Sequence, residues 1–156
     1  MSKSNNHSEQ ASTDLNVHGL VTGMTLVFLV TGLIVAHWVS PDLRSHFALP
    51  EADRLWIRSS FYVVGILTLP LTNLIRHISV RLNQTMPGPK PAKQRYLTTV
   101  LISMVLVETI GILGFVMYVL GDDFNTLYIM VGMSALGMVL YRPKFNEYDA
   151  IVEALE

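Results

Sequence analysis

Glu108 is the one charged residue in YLTTVLISMVLVETIGILGFVMYVLG, residues 96–121, and it falls near the middle of that apolar run. An ionised carboxylate at such a depth in hydrocarbon costs at least ~2.5 kcal/mol. Desolvation disfavours the charged form, so the neutral acid is the expected resting state. Three chemistries suit a lone buried acid. It can hydrogen-bond to Thr or Asn of a neighbouring helix as packing glue, exchange a proton or hold a cation where other oxygens converge, or pair with a cation on a partner subunit. Counting depth from the cytoplasmic helix ends sets Thr68 level with Glu108, with Thr72 and Asn73 one turn nearer the cytoplasm. These four residues form the candidate ion-binding set. Thr109 is adjacent to the acid, and Met104 and Ile112 share its helix face. Arg76 and His77 lie about three turns closer to the headgroups, too far to reach the acid without a tilt or kink in their helix.

The stretch Glu108, Thr109, Ile110, Gly111, Ile112, Leu113, Gly114, Phe115 resembles the outer ion-binding helix of rotary ATPase proteolipids, the c subunits, in which E-x-x-x-I-x-G precedes an apolar half-helix. The basic loop that ends at Arg95 is similar to their cytoplasmic hairpin loop. The resemblance implies that Glu108 is a proton-binding carboxylate and that Gly111 and Gly114 permit close helix packing. It covers about twenty residues. The chain departs from the family pattern in having Gly65 alone and Pro70 in the preceding span, and in continuing directly into another apolar segment.

Histidines offer a second chemistry. His18 and His77 both fall at cytoplasmic helix ends, where opposed imidazoles could ligate a haem; the plainer expectation for each is an interfacial histidine in contact with water. His37, His46 and Asp42 belong to the outer side and could form a weak metal site. Eight methionines, among them Met130, Met133 and Met138, suit copper transport or, more simply, gap-filling and lipid contact.

The elements that carry these residues follow from composition. The chain has 156 residues, 51% of them apolar and 15% charged, with no cysteine, and a mean hydropathy of +0.42. Soluble domains carry roughly 25% charge. A disordered chain, a nucleic-acid binder and a disulfide-stapled module are excluded, and so are thiolate nucleophiles, iron–sulfur clusters and thiolate zinc sites. An all-α, polytopic membrane protein is expected. Between Asp14 and Asp42 no Asp, Glu, Lys or Arg occurs, and Val17 to Val39 is long enough to cross the hydrocarbon. The spans are read as 17–39, 59–80, 96–121 and 124–141, making a transmembrane domain over 17–141. The second has the shortest clean run, SSFYVVGILTLPLTNLI, and contains Pro70; a kink there would free a carbonyl that Thr68 or Thr72 could satisfy. Only GDDFN separates the last two spans, which must be antiparallel, and Arg142 and Pro143 close the fourth.

Lys3, Arg76, Arg81, Lys90, Lys93, Arg95, Arg142 and Lys144 fall on one side, against Arg44, Arg54 and Arg58 on the other. By the positive-inside rule both termini are cytoplasmic. Residues 1–16 are expected as a disordered tail without the basic region of a cleaved signal. Asp42 to Arg58 is read as a short interfacial helix, PGPKPAK as an exposed linker, and 142–156 as a cytoplasmic tail whose amphipathic turns meet a partner.

Small residues mark close helix approach: Gly19-x-x-x-Gly23 and Gly32-x-x-x-Ala36 in the first span, Gly132, Ser134, Ala135 and Gly137 in the fourth. Phosphate-binding loops, G-x-S-x-G, H-E-x-x-H and internal repeats are all lacking in the sequence. The loops leave no room for a soluble catalytic domain, so no enzyme is expected. The reading is a small non-enzymatic subunit of a larger complex in the cell inner membrane. Its partners are the bilayer and other membrane subunits or further copies of itself, with no nucleic acid and no cofactor. Proton or cation translocation through Glu108 is the alternative, and a haem- or quinone-associated anchor the second alternative.

Overall fold

A computed structural model describes residues 2–38, 45–86 and 91–153, with side chains from Gly19 onward and other than Phe145. Five helices follow in order, α1 (Ser2–Trp38), α2 (Glu51–Thr85), α3 (Ala92–Val119), α4 (Phe124–Leu140) and α5 (Phe145–Glu153), and the described residues contain no strand. Three of the helices, α1, α2 and α3, are long and apolar enough to cross a membrane. α4, with 17 residues, spans about 25 Å at 1.5 Å per residue, somewhat less than the ~30 Å hydrocarbon thickness.

The helix boundaries differ from the sequence expectation in three places. The segment 1–16, expected as a disordered tail, is helical from Ser2 onward. It has neither Gly nor Pro between Ser2 and Val17, so nothing in the backbone stops the helix of the apolar span from extending toward the N-terminus. The segment Asp42 to Arg58, expected as a separate interfacial helix, is divided: 45–47 form a helical turn, and Glu51 to Arg58 are the first turns of α2. Pro50 precedes that helix and Glu51 and Asp53 lie in its first turn, where acids meet the positive end of the helix dipole. The second span, read as the shortest apolar run, therefore belongs to a helix of 35 residues, and the shortest apolar helix is α4. Asp42, Arg44 and residues 87–90 of the PGPKPAK stretch lie outside the described residues.

Pro70 sits within α2 without ending it. Thr68 Oγ1 donates to the Val64 carbonyl and Thr72 Oγ1 to the Thr68 carbonyl, each at 2.7 Å. Neither hydroxyl serves the Ile66 carbonyl, the one that the missing Pro70 N–H leaves without its helical donor. The Tyr141 hydroxyl reaches the carbonyl of the preceding Leu69 at 2.6 Å, fixing this part of α2 to the end of α4.

Packing is organised around α3, which touches all four other helices, whereas α1 and α2 do not touch each other among the described residues. Three neighbouring positions on α3 serve three partners. Val107 packs on Gly137 of α4, Ile110 lies beside Gly65 of α2, and Gly111 beside Leu29 of α1. The main core lies at the end where α5 docks: Tyr96, Val100, Met104 and Val107 of α3, Met138 of α4 and Tyr141 meet Tyr148 and Ile151 of α5. A smaller cluster of Ala36, Tyr118 and Leu127 closes the other end. The C-terminal segment, expected to meet a partner, thus buries its apolar face on its own bundle.

The α3–α4 turn is fastened by backbone and caps. Gly121 has φ +97° and its Cα faces Ala48 so closely that a Cβ would lie 2.9 Å from the Ala48 Cβ, so no larger residue fits this turn. Leu49 N–H donates to the Leu120 carbonyl at 3.1 Å, and Asp123 caps α4 by accepting from the Thr126 N–H at 3.1 Å.

The glycines divide by environment. A Cβ at Gly137 would lie 2.6 Å from Val107 Cγ1 and one at Gly114 2.6 Å from Met130 Cβ, whereas Gly19, Gly23, Gly32 and Gly132 face open space. Gly137→Ala is expected to lower stability by about 1–3 kcal/mol through overpacking, and Gly132→Ala to change it by no more than about 0.5 kcal/mol, both measured by unfolding in mixed detergent micelles.

Candidate functional site

Glu108 is 8% exposed and its Oε1 has no hydrogen-bond partner. Its surroundings are not those expected from depth alone. The carboxyl lines a cavity of about 300 Å³ between α1 and the α3–α4 pair, with Leu29, Gly32 and Val35 on one wall and Gly111, Ile112 and Phe115 on the other. No residue of α2 lines it. Thr68, Thr72 and Asn73, the expected oxygen donors, are therefore not brought to Glu108. Ile110 packs toward Gly65 of α2, and two residues along an α-helix are about 200° apart around its axis. Glu108 must then point away from α2, toward α1. Of the three, Thr72 is buried with its hydroxyl on the Thr68 carbonyl, Thr68 is partly exposed and Asn73 exposed.

Arg76, which at the sequence level reached Glu108 only through a tilt, is buried elsewhere. It is 4% exposed. Its Nε and Nη2 donate to Glu147 Oε2 at 3.0 and 2.7 Å, its Nη1 donates to the Tyr141 carbonyl, and Nη2 also faces the Arg142 carbonyl at 3.2 Å. The Tyr96 hydroxyl donates to the Lys144 carbonyl at 3.0 Å and accepts from the Lys144 N–H at 2.7 Å. One guanidinium thus satisfies the last carbonyls of α4 and the acid of α5 together, and the tail is locked to the bundle end. The two ends of this lock, Arg76 and Glu147, are 71 positions apart. The available sequence signal was a lone Arg closing an apolar run, a Tyr opening the next, and an acid within an amphipathic tail.

The opposite end has its own charged cluster, of which sequence reasoning used only the cation count. Arg58 pairs with Asp122 at 3.2 Å, and Arg54 donates to the Gly121 carbonyl at 2.7 Å. Glu51 and Asp123 border the same small cavity. Arg95 closes α2 by donating to the carbonyls of Asn83 and Met86 at 3.1 and 2.8 Å.

The proposed histidine sites are not assembled by the described side chains. His77 is exposed on α2, and the side chain of His18 lies outside the described residues, as does Asp42. His37 Nδ1 is 2.9 Å from the Leu33 carbonyl and Nε2 3.0 Å from the Tyr128 hydroxyl. A carbonyl only accepts, so Nδ1 carries a proton and donates to Leu33, while Nε2 shares a hydrogen bond with the Tyr128 hydroxyl. The described residues contain no group of three or more His, Asp or Glu that could hold a metal ion. Met130 and Met138 are fully buried and fill the interior of the bundle.

Arg76→Ala would leave Glu147 without its cation. Glu147 keeps 24% of its side chain exposed, so the loss is expected at about 2–3 kcal/mol, below the ~3–5 kcal/mol of a fully buried pair. The checking measurement is limited proteolysis with trypsin, in which the variant is cut after Lys144 at least about tenfold faster than the parent, as ~1.4 kcal/mol or more of local destabilisation requires. Comparison of the chain with known protein families, with characterised proteins and with solved structures finds no match in any of the three.

Proposed function

We propose that the chain is a small, non-enzymatic integral subunit of a larger assembly in the cell inner membrane. In this reading it crosses four times, with α4 as the short fourth span, and both termini are cytoplasmic. The observation that carries it is the surface of α1. That helix packs on α3, α4 and α5 along one side, with Leu29 and Ala36 buried and Val21 and Leu33 partly so, while Leu20, Met24, Val27, Ile34 and Trp38 on its other sides are exposed. Gly19 and Gly23 lie on that open surface with nothing within 4 Å of a Cβ, which supports close approach by a helix of another subunit or a second copy. The docked C-terminal helix supports the orientation, because it gathers Arg76, Arg142 and Lys144 at one end of the bundle with Arg81 and Arg95. Mild-detergent extraction followed by native mass spectrometry is expected to show a mass above that of the monomer, and Gly23→Leu to return the chain to monomer. A monomer with no co-migrating protein overturns the reading.

A second reading, proton exchange by Glu108, is favoured by one observation: the acid lines an apolar cavity between α1 and the α3–α4 pair and has no hydrogen-bond partner among the described residues. The surroundings support a proton rather than a metal cation, because the cavity wall brings no further carboxylate or amide oxygen to the acid. A hydrophobic carbodiimide reacts with the neutral acid, so labelling of Glu108 is expected at pH 6 and to fall as pH rises toward 9. Inertness over that whole range counts against a titrating acid. Glu108→Gln is expected to abolish labelling while leaving assembly intact.

A further inference from the structure

The cavity beside Glu108 differs from ordinary lipid-facing surface in two respects. It is a concavity of about 300 Å³, within the size range of small-molecule sites. Its apolar wall also contains one acidic side chain, only 8% exposed, whose carboxyl has no hydrogen-bond partner among the described residues. Thr31 is the sole hydroxyl residue of the wall, and its proton is committed to the Val27 carbonyl at 2.8 Å. The acid therefore lacks a donor that the chain itself could supply.

We infer that this cavity binds a neutral, membrane-dissolved alcohol or phenol, with the apolar body against Leu29, Val35, Ile112 and Phe115 and the hydroxyl hydrogen-bonded to the part of the Glu108 carboxyl that lines the cavity. Three considerations select that class. An acyl chain without a polar group fills the volume but leaves the oxygen unsatisfied, which is costly in a medium without water. A phospholipid has polar groups but holds them at the interface, whereas Glu108 is about 24 Å along α3 from Ala92 and about 16 Å from Val119. An ammonium ligand would have to shed its hydration for a single carboxylate, with only the Thr31 hydroxyl oxygen as a further side-chain acceptor in the wall. A neutral molecule with one hydroxyl needs neither interfacial anchoring nor charge burial, and it can reach the site sideways from the hydrocarbon.

The test uses the full chain purified into nanodiscs and two photoactivatable diazirine probes, a long-chain primary alcohol and an alkyl phenol. Each is paired with the same molecule lacking its hydroxyl. Expected are labels on α1 and α3 peptides around Gly32 and Gly111, and affinity for the hydroxylated probe roughly tenfold above its partner, the ratio that about one hydrogen bond produces. Whether the linear or the aromatic probe binds tighter identifies the form of the ligand. Glu108→Leu is expected to erase the tenfold difference while retaining the hydrocarbon probe. Gly32→Phe, at a position where a Cβ meets open space, is expected to block both probes without disturbing the fold, as judged by an unchanged unfolding midpoint. Equal affinity for hydroxylated and plain probes overturns the inference. So does tighter, Glu108-dependent binding of the matching alkylamine, or the absence of labelling from a folded monomer. If labelling appears only when Gly23→Leu has dissociated an oligomer, another protein helix covers the cavity and the inference likewise fails.

Discussion

A helix packed against every other helix of the described chain cannot hand its buried polar side chains to water, so its circumference must be divided among neighbours, and α3 is where that division is decided. Val107, Glu108 and Ile110 occupy nearly adjacent positions yet face α4, the α1 cavity and α2 respectively. Buried Ser134 of α4 donates to the Val107 carbonyl at 2.9 Å, and Ser103 returns its proton to the Thr99 carbonyl at 2.8 Å. Asn83 of α2 reaches Thr99 Oγ1 at 3.1 Å. Every one of these contacts answers the same demand, that a polar atom without water find a protein partner. Glu108 is the exception on this helix among the described residues, buried on the side that faces α1.

The charged residues obey the same rule at the two ends of the bundle. Arg76 is buried deeply enough that its guanidinium can be tolerated only with acceptors on several sides, and Glu147, two carbonyls at the end of α4 and Tyr96 provide them. At the other end Arg54 and Arg58 close onto the α3–α4 turn, through a carbonyl and through Asp122. The cations that a topology count treats as a uniform charge thus have individual tasks. Arg95 ends a helix, Arg76 secures another helix on top of it, and Arg54 holds a loop.

What the sequence made legible and what it concealed have one physical explanation. The existence of the apolar helices was readable because the length of an apolar run is a one-dimensional quantity, and so was the position of Glu108 along its helix. The direction in which Glu108 points was not readable. A helix that is apolar all round carries no stripe to orient it, so Thr68, Thr72 and Asn73 matched the acid in depth and missed it in azimuth. The Arg76–Glu147 lock joins residues 71 positions apart, and no periodicity connects them. The extent of α1 and α2 was underestimated for a different reason: polar flanks were taken as helix ends, although neither Ser2 to Val17 nor Glu51 to Arg58 contains a residue that breaks a helix. Of the glycines, Gly111, Gly114 and Gly137 lie against neighbouring side chains and Gly19, Gly23, Gly32 and Gly132 do not; spacing alone could not separate the two sets.

That α1 and α2 share no contact among the described residues bears on how the molecule is made. A ribosome delivers them first, and neither has a surface that waits for the other. In the membrane-crossing reading proposed above, both would drift separately among lipids until the following helix gathers them. Assembly in that reading would be gated by the arrival of the central rod, and a polypeptide halted in the proline-rich connection before it would leave two solitary hydrophobic rods with nothing to join them.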